Sequence, residues 1–254
     1  MDLLAIRNAP DLIVSKTRSV RDAMLGRARC LKTPDFDRIG VDDLELLFGL
    51  YDSEFFGGWL GRAVVEATGE PLELRLSSTM TRAGGKTIVH RKRGRGGPVA
   101  SRYEIAIASR MLFMNFSNTG RDVSVCGLAC PDRLSALQRI MEHEMIHLGE
   151  MLKWDESSCS GVRFRTLAGR IFGHTDKHHA LVTPREHAAQ VHGIKVGSRV
   201  QFSFEGRSLS GRVNRIHHRA TVLVEDVHGV RYTDGKHYHK FYVPLTALRL
   251  CETA

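Results

Sequence analysis

The segment Met141-Glu142-His143-Glu144-Met145-Ile146-His147-Leu148-Gly149-Glu150 sets two histidines four residues apart, with an acid directly after the first. On a helix, positions i and i+4 project from one face, a turn apart. Two imidazoles so placed ligate one zinc ion at about 2.0–2.1 Å each. Zinc would acidify a water and polarise a carbonyl. Glu144 reaches that water without ligating the ion. It is placed to take the water's proton and hand it to a leaving amine, as the general base of a peptidase. His143 and His147 are thus the expected metal ligands and Glu144 the expected catalytic base. Glu150, seven residues after His143 on the same face, is expected to orient a ligand from outside the coordination sphere.

These residues need a helix to carry them. Asp132 is a suitable N-cap for one reaching about residue 152, with Leu134, Leu137, Ile140, Met141 and Leu148 on its apolar face. A second helix is expected from about 160 to 172. Upstream, residues 41–56 place Leu44, Leu47, Phe48, Tyr51 and Phe55 at helical spacing, and Gly57-Gly58 stops that helix. Strands are expected at 72–76, 87–90 and 103–108, with the segment HRKRGRGGP (90–98) as a loop between the last two. Beyond a polar stretch the hydrophobic period changes to two, with short strands near 199–204, 211–216, 220–225, 231–233 and 240–243. Turns are expected at His228-Gly229 and Asp234-Gly235. Five short strands in so little chain suggest a small SH3-like barrel. The expected division is an irregular or weakly helical extension (1–40), a helix-and-sheet domain (41–182), a linker (183–193) and an all-β domain (194–254).

With these elements in order, the chain resembles the SprT-like domain, the zincin domain of the Spartan-type zinc metallopeptidases. The resemblance covers about residues 41–180. A helix ends in Phe56-Gly57-Gly58-Trp59-Leu60, Ala83-Gly84 follows a strand, and Glu104-Ile105-Ala106-Ile107-Ala108-Ser109 precedes the HExxH helix. It implies an α+β zincin fold with a small sheet, Zn2+ as cofactor, and protein substrates associated with or crosslinked to DNA. In the family a third zinc-ligating histidine opens an H-G-x-x-F motif. Here the segment reads Ser160-Gly161-Val162-Arg163-Phe164. Serine is a poor zinc ligand, and Cys159, one residue earlier, offers a thiolate from nearly the same place. His174, in GHTDKHH, is the alternative. It stands about 14 residues, or about 21 Å of helix, from Ser160 unless the chain folds back.

Charge supports a polyanionic partner without naming one. Lys and Arg total 37 against 28 Asp and Glu, a net charge of +9. Arg91, Lys92, Arg93 and Arg95 form a compact cluster suited to phosphates, which such side chains contact without sequence preference. In the expected barrel, Tyr232, Tyr238, Phe241 and Tyr242 are interleaved with cations; they either stack on unpaired bases or fill the core. Five scattered cysteines argue against a disulfide scaffold. No apolar run is long enough to span a membrane, and none at the N-terminus makes a secretory signal. A cytoplasmic chain, nucleoid-associated if it binds DNA, is therefore expected. Two functions follow: a zinc metallopeptidase whose protein substrates sit on DNA, or a non-catalytic nucleic-acid-binding protein that retains a zincin shell.

Overall fold

The structure, a computed structural model, describes residues 1–94, 97–116 and 122–251. It is α+β and divides into two compact units, Met1–Leu181 and Val182–Ala254. Among the described residues no helix is long and apolar enough to cross a membrane.

In the first unit, helices α1 (Pro10–Arg27), α2 (Val41–Phe56), α3 (Trp59–Thr68), α5 (Arg133–Trp154) and α6 (Val162–Phe172) share one core with a small sheet. The short helix α4 (Ser109–Met114) follows that sheet. The sheet has the order β1 (Glu73–Leu76), β3 (Gly97–Ile107), β2 (Gly85–Gly94), so β2 lies at an edge. β1 runs parallel to β3 and β2 antiparallel to it. A second, minimal sheet has β4 (Ser124–Val125) between β5 (Leu128–Ala129) and β6 (His179–Ala180).

α5 starts as expected at Asp132, whose carboxylate accepts from the Ser135 amide at 2.8 Å. It ends where Asp155 turns left-handed at φ 58°. Every residue from Ile140 to Ile146 is buried, so the polar side chains of this stretch need partners inside the protein. Glu142 shows how completely they are met. Its Oε1 accepts from the Tyr51 hydroxyl and from Arg139, both at 2.7 Å. Its Oε2 accepts from Arg139 at 2.9 Å and lies 2.8 Å from His174 Nε2. Although burial opposes it, Arg139 and His174 hold the Glu142 carboxyl below the usual carboxylate range.

Several expectations change. Residues 1–40, expected as an irregular or weakly helical extension, contribute to the core of the first unit. α1 buries Ile13, Thr17, Val20 and Met24, while Leu3, Leu31 and Phe36 join the same core. Arg21 clamps Asp132 with contacts of 3.0 and 2.7 Å. A threonine within the buried stripe diluted the apolar signal. The basic segment is not an irregular loop. The β2–β3 ladder runs on through Lys92↔Val99 and Arg93↔Pro98 to Gly94↔Gly97, after a register shift between His90 and Arg91. Arg95 lies outside the described residues. The expected linker is helix α7 (Pro184–His192), closed by a capping box between Thr183 and Glu186, with Ala188 in the core of the second unit.

The second unit is one five-stranded antiparallel sheet. Its order is β10 (His237–Val243), β9 (Ala220–Arg231), β8 (Arg207–Ile216), β7 (Arg199–Phe204), β11 (Arg249–Leu250). Among the described residues its outer strands β10 and β11 do not pair, so no closed barrel forms. Asp234-Gly235 makes the expected turn, with Gly235 at φ 83°. His228-Gly229 does not. It lies within β9 at an irregularity, where a Cβ on Gly229 would stand 2.4 Å from the Tyr238 backbone.

Removing one partner of a buried charged network is strongly destabilising. Glu142→Ala, which strands Arg139, His174 and Tyr51, is expected to cost about 3–5 kcal/mol in denaturant unfolding. A loss under about 1 kcal/mol would mean that water reaches the site.

Candidate metal centre

α5 presents His143 and His147 side by side, with their Nε2 atoms 3.2 Å apart. The tautomer of His147 follows from its neighbours. Ser157 donates its one proton to Glu150 Oε2 at 2.6 Å, so its oxygen accepts from His147 Nδ1–H, also at 2.6 Å. The Nε2 lone pair of His147 therefore faces His143. Cys126 Sγ lies 3.4 Å from His143 Nδ1, and in the tautomer that donates to this sulfur the His143 Nε2 lone pair faces back. In that tautomer a cation between the rings would satisfy both lone pairs, whereas in the other His143 Nε2–H donates to His147 Nε2. Burial, followed by nearby histidines, pushes His143 down to about 2. Burial pushes His147 down to about 4, so both rings are in the neutral form that ligates.

The remaining donors come from outside α5. The chain reverses after Asp155 and brings Cys159 back, so that ligand atoms of His143, His147 and Cys159 all lie within 4.8 Å of one another. A second such group is Cys126, His143 and His179. His179 starts β6, its ring sits edge-on to His143 at 4.7 Å, and its Nε2 is buried without a partner. Sequence reading passed over His179 because only pairing between β4 and β6 brings it here. That pairing depends on the two-residue turn Cys126-Gly127, both left-handed (φ 55° and 77°). The turn also holds residues 175–178: the Cys126 carbonyl accepts from Thr175 and Asp176, and its amide donates to His178.

The other expected residues fall as follows. Ser160 accepts from Lys177 Nζ at 2.9 Å. His174 lies in the Glu142 network and belongs to neither donor group. Glu150 acts on His147 through Ser157, and its Oε1 accepts from Arg163 at 2.7 Å. Phe164 packs against both imidazoles, with ring centroids at 4.8 and 4.4 Å. Arg91 pairs with Asp155 at 2.8 Å, while Lys92 and Arg93 stand exposed beside it.

Glu144 faces β2. Thr87 Oγ1 donates to its Oε2 at 2.7 Å, and burial nonetheless lifts its carboxyl to about 7, suited to accepting a proton near neutrality. The approach is close enough to demand glycine. A Cβ on Gly85 would stand 2.7 Å from Glu144 Cγ, and one on Gly84 would stand 2.8 Å from His179 Nδ1. The imidazoles, Glu144 and Cys159 open onto a cleft of about 480 Å³ whose rim includes Lys86, Met151 and Lys177. This donor set, soft sulfur and neutral nitrogen around an open cleft, fits zinc.

Ser157→Ala breaks the chain from His147 to Glu150. Such outer partners are worth about 10–100-fold in metal affinity. Zinc competition titration is expected to show a loss of that size with the fold intact, and an unchanged affinity would remove Glu150 from the site.

The metal-free chain is also expected to be acid-sensitive. An unfolded histidine titrates near 6.5, whereas burial pushes His147 and His179 down to about 4 in the folded chain and His143 to about 2. The unfolded state therefore binds more protons below 6.5. Stability is whole above that value and is lost as pH falls through about 4. Glu144, raised to about 7, has the opposite slope, with stability present below about 4.5 and lost as pH rises through 7. Three imidazoles outweigh one carboxyl, so the melting temperature after chelation should fall from pH 6.5 to 4. A flat profile would show that these rings are hydrated.

No family model, no curated protein and no solved structure matches this chain.

Proposed function

We propose that the chain is a zinc metallopeptidase of the SprT-like zincin type, acting on proteins associated with or crosslinked to DNA. One observation carries this reading: the Nε2 atoms of His143 and His147 lie 3.2 Å apart on one helix face, with a buried carboxyl near neutrality beside them. A zinc ion held by His143, His147 and Cys159 would supply Lewis acidity toward a scissile carbonyl and an attacking water. Glu144 takes the proton of that water and returns it to the leaving amine, while Thr87 fixes the orientation of its carboxyl. Ser157 and Glu150 hold His147 in the ligating tautomer.

The substrate class follows from the neighbouring strand. β2 is an edge of its sheet, and its residues Gly85, Lys86 and Thr87 line the cleft beside Glu144. An extended peptide can add to such an edge by main-chain hydrogen bonds and so bring a peptide bond to the centre. Lys92 and Arg93, exposed farther along the same strand, support phosphate contact and hence a DNA-borne substrate. The second unit is read as a relative of the SH3-like barrels whose sheet stays open.

A non-catalytic protein with a zincin shell draws on the serine at the usual third-ligand position. Glu144→Gln separates the two readings. The variant should keep its zinc, since residue 144 is no ligand, and should lose about 10²–10⁴-fold in cleavage of a protein crosslinked to an oligonucleotide. Equal activity of variant and parent, or none in the zinc-loaded parent, would overturn the peptidase reading.

A further inference from the structure

We propose that the second unit carries a binding pocket of its own for an unpaired stretch of a nucleic-acid strand, with Arg215, Arg219 and Lys240 on the phosphates and Tyr242 as the platform for a base. It deepens the nucleic-acid part of the reading above but involves none of the metal-centre residues.

The pocket, about 400 Å³, lies where the β8–β9 turn meets the end of β10. Register explains its composition. Arg215 stands opposite Thr221, which stands opposite Tyr242, and Lys240 is two residues before Tyr242 on the same strand. The alternate positions Ala220, Val222, Phe241 and Val243 fill the core of the unit, so the period of two turns this row to the other face. A register shift between Val213 and Arg215 makes Asn214 an extra residue in the strand and aims Arg215 at the same hollow. The turn then adds His217, His218 and Arg219, closed by the His217 amide donating to the Arg219 carbonyl at 3.0 Å.

Two features distinguish this site from an ordinary solvated sheet face. The first is charge. Among the described residues no carboxylate lines the hollow and Arg215, Arg219 and Lys240 form no ion pair, Lys240 Nζ lying 5.6 Å from the Tyr232 ring centroid. At the far end of the same sheet, by contrast, Lys236 is paired with Glu225 at 2.8 Å, and Asp226 stands 3.7 Å from His239. The second is Tyr242, 65 % exposed beside those cations when burial was available on the other face. Arg215 and Arg219, outside any ion pair among the described residues and beside an open aromatic ring, suit a polyanion that also offers flat rings, with Lys240 at the edge of the same hollow. Such stacking needs a base outside a duplex, and strands and a turn, with no helix to enter a groove, form this surface.

The test is a salt titration of the zinc-loaded full chain binding a fluorescent oligothymidine, beside a duplex of the same length. Tyr242→Ala should weaken oligothymidine about 5- to 150-fold, leave the salt slope and duplex binding unchanged, and be rescued by Tyr242→Phe. Replacing Arg215, Arg219 and Lys240 together by Ala should shallow the slope by about 2, near 0.7 per phosphate on a single strand. All these side chains are exposed, and unchanged melting temperatures verify the folds. Oligothymidine binding that survives both changes and disappears with Lys92→Ala/Arg93→Ala would overturn the pocket while leaving the DNA reading in place. No binding by the parent chain at low salt would overturn both. Equal loss of duplex binding with Tyr242→Ala, or displacement of oligothymidine by polyglutamate at matched charge, would make it a general anion site and overturn the proposal.

Discussion

Desolvating a carboxylate costs several kcal/mol unless hydrogen bonds and a counter-charge replace the lost water. α5 desolvates three of them: Glu142, Glu144 and Glu150 are each at most 2 % exposed. What packs around the helix is therefore decided as much by who can satisfy these groups as by apolar fit. Tyr51 of α2 and His174 after α6 converge on Glu142. Thr87 of β2 supplies Glu144, and Ser157 with Arg163 supplies Glu150. Each partner comes from a different element, so satisfying one helix fixes the positions of the others.

That arrangement separates two kinds of work along a single helix. The Glu142 face is a sealed network among aromatic rings, with Tyr51, Phe55 and Phe172 centroids 4.8–5.9 Å apart. The histidine face opens to the cleft, and there the packing is set by what is missing. Gly84 and Gly85 have no side chain to hold β2 away from α5, which lets the strand reach Glu144 and leaves room for His179. A methyl group at either position would push strand from helix, and overpacking of this sort costs about 1–3 kcal/mol. Here it would also displace the carboxyl near neutrality.

The HExxH helix was legible because everything that specifies it is local: the spacing of His143 and His147, the Asp132 cap and the apolar stripe fall within one window. Helices α2 and α6 could be read for the same reason. What could not be read depends on contacts between distant segments. His179 enters the site only through pairing of β6 with β4, and Ser157 is significant only because the chain reverses at Asp155. The ladder from Arg91 to Gly94 was obscured by Gly and charge, although Val99 opposite Lys92 supplied a strand former. α1 carries a threonine in its buried stripe and takes much of its definition from a clamp 111 residues away. In the second unit the period of two revealed strands, but whether a sheet closes depends on its edges.

The edge strand β2 has another consequence. An unpaired row of amides and carbonyls invites any extended chain, a second copy of this protein included. Along its outer half β2 carries Arg91, Lys92 and Arg93 in succession, while the half beside Glu144 holds Gly85, Lys86 and Thr87. Two copies meeting edge to edge would bring like charges together over several residues, a repulsion that acts over about 8 Å at physiological salt. Lys92 and Arg93, beside an Arg91 tied to Asp155, thus act as gatekeepers of solubility. They discourage the protein from extending its own sheet, while the stretch next to the histidines carries the single cation Lys86.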